Sequence, residues 1–129
     1  MSRVIHFDLS ADNPERAARF YRSVFGWKVE KWQGPSDYWL MTTGDEREPG
    51  ITGGVAARIK PNDTTAVIFD VPSVDAYSEK VKLSGGEIRE EKQVIPGVGY
   101  LVMCRDSEGN TFGIMQIDPS AKCEIISAG

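Results

Sequence analysis

At 129 residues the chain has room for one buried core and not for several large domains. Its 40% hydrophobic and 26% charged residues exclude a disordered or fibrous polymer. A net charge of -4 and a pI near 5.0 leave no concentrated basic surface for nucleic acid, and no apolar run is long enough for a membrane helix. The first residues lack the charged and apolar blocks of a secretory leader, so the expected location is cytoplasmic. Cys104 and Cys123 form no Cys-x-x-Cys pair and are expected to stay reduced, Cys104 as a packing residue.

Val4 to Leu9 alternates, with Ile5, Phe7 and Leu9 on one face and Val4, His6 and Asp8 on the other, which predicts a half-buried strand. Asn13 as N-cap, Pro14 in the first turn and Glu15 behind it start a helix. Ala17, Phe20, Tyr21, Val24 and Phe25 recur at helical spacing as its buried stripe, and Gly26 stops it. Arg16, Arg19 and Arg22 read as its solvated face. Strands are predicted over Trp27 to Trp32, Tyr38 to Thr43 and Gly53 to Ile59. Ala66 to Val71 then alternates like the first strand, and Ser73 precedes a helix carrying Val74, Tyr77 and Val81 that ends at Gly85-Gly86. Further strands are expected at Glu87 to Val94, Tyr100 to Arg105 and Thr111 to Ile117, the last two joined by an Asp106 to Asn110 turn.

The same order of elements occurs twice, at an offset of about sixty residues, with Asn13 on Ser73 and Gly26 on Gly86. The expected fold class is α+β, with two tandem βαβββ modules over about residues 3–60 and 64–118 in a single domain spanning 1–129. Beyond them lies a short C-terminal tail. It holds Cys123, Ile125 and Ile126 and, with the tryptophans read as exposed, gives mild support for a homodimer.

The first-strand histidine followed by Asp12-Asn13-Pro14-Glu15-Arg16-Ala17-Ala18-Arg19-Phe20-Tyr21 and Val24-Phe25-Gly26-Trp27 resembles the vicinal oxygen chelate superfamily. So does Ile95-Pro96-Gly97-Val98-Gly99-Tyr100 leading into Asp106 to Gly113. That superfamily includes glyoxalase I, bleomycin-resistance proteins and extradiol dioxygenases. The resemblance implies curved half-barrel sheets around a central cavity with the helices outside, and His6 and Asp8 turned inward. It also implies a divalent ion in metal-dependent members, held from the first and fourth strand of each copy. His6 matches one such position. The others fall at Ala66 and near Gly53 and Gly113, which carry no donor, and His6 is the only histidine. One imidazole is short of the three or so ligands that a catalytic ion requires.

The resemblance therefore implies a small-molecule binder of the bleomycin-resistance type, without a cofactor. Its expected ligand-binding residues are His6, Asp8, Trp39, Met41, Tyr100, Met103 and Met115, with Trp32, Leu40 and Val102 nearby. His6 is the candidate acid or base, and equally a histidine satisfied by backbone or water. Two alternatives stand beside it. One is a glyoxalase-type lyase, isomerase or dioxygenase using Zn²⁺, Ni²⁺, Fe²⁺ or Mn²⁺ through His6. The other is a non-catalytic dimerising module whose cavity Met41, Met103 and Met115 fill.

Overall fold

Strand β1 (Val4–Ala11) carries the first alternation to its end. Asn13 then leaves the helical region at φ -133, and its side chain accepts the Arg16 N–H at 3.0 Å, a cap worth about 1 kcal/mol. Helix α1 (Pro14–Phe25) stops at Gly26, whose φ of 69 is the left-handed conformation that glycine enters without steric cost. Strands β2 (Lys28–Lys31), β3 (Tyr38–Thr42) and β4 (Thr52–Ala57) follow. The computed structural model describes residues 2–34 and 36–122.

The strand order in this first module is β2-β3-β4-β1, antiparallel until β4 meets β1 in parallel. One face of it is covered by α1. Ala18, Val29, Met41 and Val55 are buried there, with Phe7, Leu9, Tyr21, Trp27 and Trp39 packed against them. Because strand side chains alternate, His6 and Asp8 are left on the opposite face.

The second module repeats the plan. Strand β5 (Ala66–Asp70) leads to α2 (Val74–Leu83), whose N-cap Ser73 accepts the Ala76 N–H at 3.1 Å. Strands β6 (Glu87–Ile88), β7 (Gln93–Ile95), β8 (Gly99–Arg105) and β9 (Thr111–Ile117) complete it. Their order is β5-β9-β8-β6, with β7 also on β8. Val71, Val74, Val102, Cys104 and Ile114 form the core under α2, joined by Tyr77, Val81, Ile88, Tyr100 and Phe112. Residues Val4–Val67 make one compact unit; the described residues from Ile68 onward, with Ser2 and Arg3, make the other.

Several expectations need correction. The strand expected over Glu87 to Val94 is broken. Ile88 opposes Cys104 and Gln93 opposes Leu101, so residues 89–92 face only Val102 and Met103. The charged run Arg89-Glu90-Glu91-Lys92 bulges outward, and the Arg89 and Glu90 N–H groups share the Met103 carbonyl. The second helix is shorter, ten residues against twelve, and its positive-φ glycine is Gly85 rather than Gly86.

The uniform offset also fails at the last strand. Gly53 opposes Met41 and looks towards Phe7 on the α1 side, whereas Gly113 opposes Met103 on the side away from α2. The counterpart of Gly113 is therefore Gly54, which opposes Leu40.

On α1 the stripe is wider than the sheet beneath it. Ala18 is fully buried, while Phe20 and Val24 are each 55% exposed. Arg22 is more than a solvated cation, since its guanidinium donates to the Val29 carbonyl at 2.5 Å and lies over Trp39. None of the three tryptophans is exposed: each is partly buried against neighbouring rings or the Arg22 guanidinium. The tail residues Cys123, Ile125 and Ile126 lie outside the described residues.

Candidate functional site

Three polar side chains meet on the face of the first module away from α1. Strand β1 presents His6 and Asp8, two residues apart and thus on one side. Tyr38 comes from β3, with β4 lying between β3 and β1. Its ring crosses β4 at Gly54, where a Cβ would fall on the phenol oxygen and Cζ. The missing side chain at Gly54 is what lets a tyrosine reach across a strand. The Trp32 and Tyr38 rings meet edge to face, and the Trp32 backbone N–H donates to the Tyr38 carbonyl at 2.8 Å.

The Tyr38 hydroxyl lies 2.5 Å from Asp8 Oδ1 and 2.6 Å from His6 Nε2, and Nε2 is 3.3 Å from Oδ1. A phenol has one proton. With Asp8 as a carboxylate, which only accepts, that proton goes to Oδ1 and Nε2 must donate to Oη. The hydrogens therefore run from His6 Nε2 to Tyr38 Oη to Asp8 Oδ1, an order that selects Nε2–H over Nδ1–H as the tautomer of a neutral imidazole. Burial, first, and then the charge and hydrogen bond of Asp8 push the Tyr38 hydroxyl far above its ordinary pKa, so it stays a phenol. The side chains of His6 and Asp8 are 25% and 28% exposed, so ligand or water can reach them.

Other expected ligand residues do not join this cluster. Met41 is 1% exposed in the core beneath α1, and Trp39 packs against the same core. In the second module Tyr100 and Val102 belong to the core under α2, and Lys92 lies over the Tyr100 ring. Met103 and Met115 lie on the face away from α2. Met103 opposes Gly113, where a Cβ would meet Ile68 Cδ1 at 2.6 Å and the Met103 sulfur at 3.0 Å, and Met115 opposes Leu101. Leu40, opposite Gly54, shares the His6 face.

The sequence reading missed Tyr38. Its one signal was a tyrosine opening β3 with a glycine pair in β4, and only the register shows that the ring lies over the second glycine.

These residues do not fit a divalent ion. Donors bound to one ion at roughly 2.0–2.2 Å stand about 3 Å apart. The phenol oxygen is 2.5 and 2.6 Å from its neighbours, the spacing of shared protons. Gly54, on the last strand beside Asp8, has no side chain, and the space above it holds the Tyr38 ring. Ala66 offers no donor, and among the described residues no three His, Cys, Asp or Glu side chains converge. Cys104 is buried in the core under α2, and burial pushes its thiol up to about 11.

Two open depressions lie elsewhere. One of about 400 Å³ is lined by Asp70, Pro72 and Tyr77, and one of about 390 Å³ by Asp12, Arg16 and Arg58. Neither includes His6, Asp8 or Tyr38, and the proton arrangement rather than depth marks the site. Among the described residues no helix is long and apolar enough to cross a membrane.

Residues 3–114 match the model of the Glyoxalase/Bleomycin resistance protein/Dioxygenase superfamily. The mycobacterial protein named "Putative glyoxylase CFP32", from Mycobacterium bovis and Mycobacterium tuberculosis, is 27% identical over 114 residues. That alignment covers 87% of this chain and 43% of the relative, so the chain spans less than half the length of those proteins. Among solved structures, a methylmalonyl-CoA epimerase holding methylmalonyl-CoA superposes with a TM-score of 0.70 at 12% identity, over 95% of this chain and 99% of that one. The methylmalonyl-CoA epimerase of Mycobacterium tuberculosis gives 0.67 at 12% identity, over 98% and 91%. At that identity the likeness is one of fold, and it agrees with the α+β arrangement described above.

Proposed function

Since the chain belongs to the Glyoxalase/Bleomycin resistance protein/Dioxygenase superfamily, we propose that it binds a small, largely apolar or aromatic molecule without a divalent metal. One observation carries the reading. His6, the residue that matches a metal-holding position of the superfamily, is hydrogen-bonded through Nε2 to Tyr38, whose ring fills the space above Gly54. Trp32 and Leu40 supply the apolar surround, and His6, Tyr38 and Asp8 the oriented polar groups that such sites combine. In this reading His6 is the acid–base group. Tyr38 holds Nε2, and Nδ1 is the nitrogen left to take a proton from a ligand. The proposed location is the cytoplasm, where Cys104 and Cys123 stay reduced. The proposed working form is a homodimer, supported by the apolar edge that Phe20 and Val24 leave on α1.

Elemental analysis of the purified, dialysed protein tests the reading. The expected result is no stoichiometric divalent metal, together with saturable perturbation of Trp32 and Tyr38 resonances by aromatic probes in the presence of a chelator. A bound ion that survives dialysis and disappears in a His6→Ala variant overturns it in favour of a metal-dependent lyase or isomerase. The name of the mycobacterial relatives favours that second reading.

A further inference from the structure

Resting on metal-free binding at the His6–Tyr38–Asp8 cluster, we infer that the group recognised there is a protonated amine, carried beside an aromatic or apolar body. Tyr38 gives its only proton to Asp8 Oδ1 and receives the one on His6 Nε2, so the phenol has no proton left for a ligand. Among the described residues, His6 Nδ1 and Asp8 Oδ2 take no part in these bonds. A lone pair and a carboxylate oxygen both accept. The cluster therefore offers acceptors to a ligand, and a ligand must bring donors.

Charge points the same way. The ion-pair partner of Asp8 is His6, and Lys28, Lys31, Arg47 and Arg58 of the same module pair with other carboxylates. Arg58, the guanidinium nearest in sequence to β4, is held by Asp12, the Ser10 carbonyl and the Asp63 carbonyl. A carboxylate, phosphate or thioester oxygen placed against Asp8 meets the repulsion of its negative charge. An ammonium gains the Asp8 charge, donates to Oδ2, and has the Trp32–Tyr38 ring pair on the same face for its apolar body.

Three probes of similar shape test this on the full chain with a chelator present: 2-phenylethylammonium, 2-phenylethanol and 3-phenylpropanoate. Binding is followed through the ring and amide resonances of His6, Tyr38 and Trp32. The cation is expected to bind about tenfold or more tightly than the anion, with the alcohol between them. In an Asp8→Asn variant, which keeps the shape and an acceptor oxygen, that ratio is expected to fall to about one. Preference for the anion, or a cation preference that survives Asp8→Asn, overturns the inference and leaves metal-free binding standing. Shifts for none of the three probes unless a divalent metal is added overturn metal-free binding, and the amine assignment with it.

Discussion

The two βαβββ modules solve one packing problem with different chemistry. In each, a glycine on the last strand leaves a gap on the face away from the helix, and a side chain from the neighbouring strand fills it. In the second module the gap at Gly113 takes hydrocarbon and sulfur from Ile68, Leu101 and Met103. In the first, the gap at Gly54 takes the Tyr38 phenol, which must then satisfy its hydroxyl and does so with His6 and Asp8. The counterpart of Tyr38 is Leu101: Tyr38 opposes Ala56 as Leu101 opposes Met115. Three exchanges thus separate a module with a polar site from one with an apolar wall on the same strand order: Tyr38 for Leu101, His6 for Ala66 and Asp8 for Ile68.

Adding a methyl group to each glycine tests this most severely. Gly113→Ala meets the ends of Ile68 and Met103, which can rotate, and is expected to cost about 1–2 kcal/mol. Gly54→Ala meets a stiff ring pinned by two hydrogen bonds, and about 2–4 kcal/mol is expected, because the phenol must leave Asp8 and His6. Urea titrations give both numbers. A Tyr38→Ala change should recover part of the Gly54→Ala loss and none of the Gly113→Ala loss. Equal costs at the two glycines would mean that the ring is not fixed there.

The modules also hide one titratable group each, and alkaline pH separates them. Cys104 is fully buried, and its thiol is raised from 9.0 to about 11. The unfolded chain releases this proton first, so the stability it contributes is complete below about pH 9 and is lost as pH rises towards 11. Two units correspond to roughly 2–3 kcal/mol. A Cys104→Ala variant should show a flatter fall of stability across that window. Tyr38 is raised from a higher starting value, so its effect begins near pH 10, and Tyr38→Phe should flatten only the upper end.

At neutral pH, Tyr38→Phe is expected to cost about 1–2 kcal/mol, since Asp8 and His6 lose a shared hydroxyl at a site that water can still reach. The sharper signal is in the imidazole. Nitrogen chemical shifts should report a single Nε2–H form in the parent protein and a mixture of tautomers in the variant. A mixture in both would break the proton chain and the comparison built on it.

Much of this was legible in the residues, and the gaps share a cause. The caps Asn13 and Ser73 could be read because a cap is a local contact, one side chain on an N–H three residues ahead. The His6–Asp8 face followed from alternation alone. Register was not legible. A shift of one residue moves a strand's side chains to the other face, and with loops of unequal length no count along the chain says which of Gly53 and Gly54 lies under Tyr38. For the same reason Trp39, Met41 and Tyr100 read as pocket residues although they pack beneath the helices. The outward run at residues 89–92 broke a strand whose apolar ends, Ile88 and Val94, looked continuous.

The smallest effect concerns the two helices. Tyr77 packs against the core under α2, whereas Phe20 on α1 is 55% exposed beside Val24. Within its own module the Phe20 ring stands nearly perpendicular to that of Tyr21. Phe20→Ser should therefore change stability by no more than about 0.5 kcal/mol at micromolar dilution, while Tyr77→Ser costs about 2–3 kcal/mol. If a second copy covers the α1 edge, as the homodimer reading requires, the Phe20 cost must grow with protein concentration and the Tyr77 cost must not. Melts across a hundredfold range of concentration make the distinction. A Phe20→Ser effect that stays flat over that range removes α1 as the dimer face.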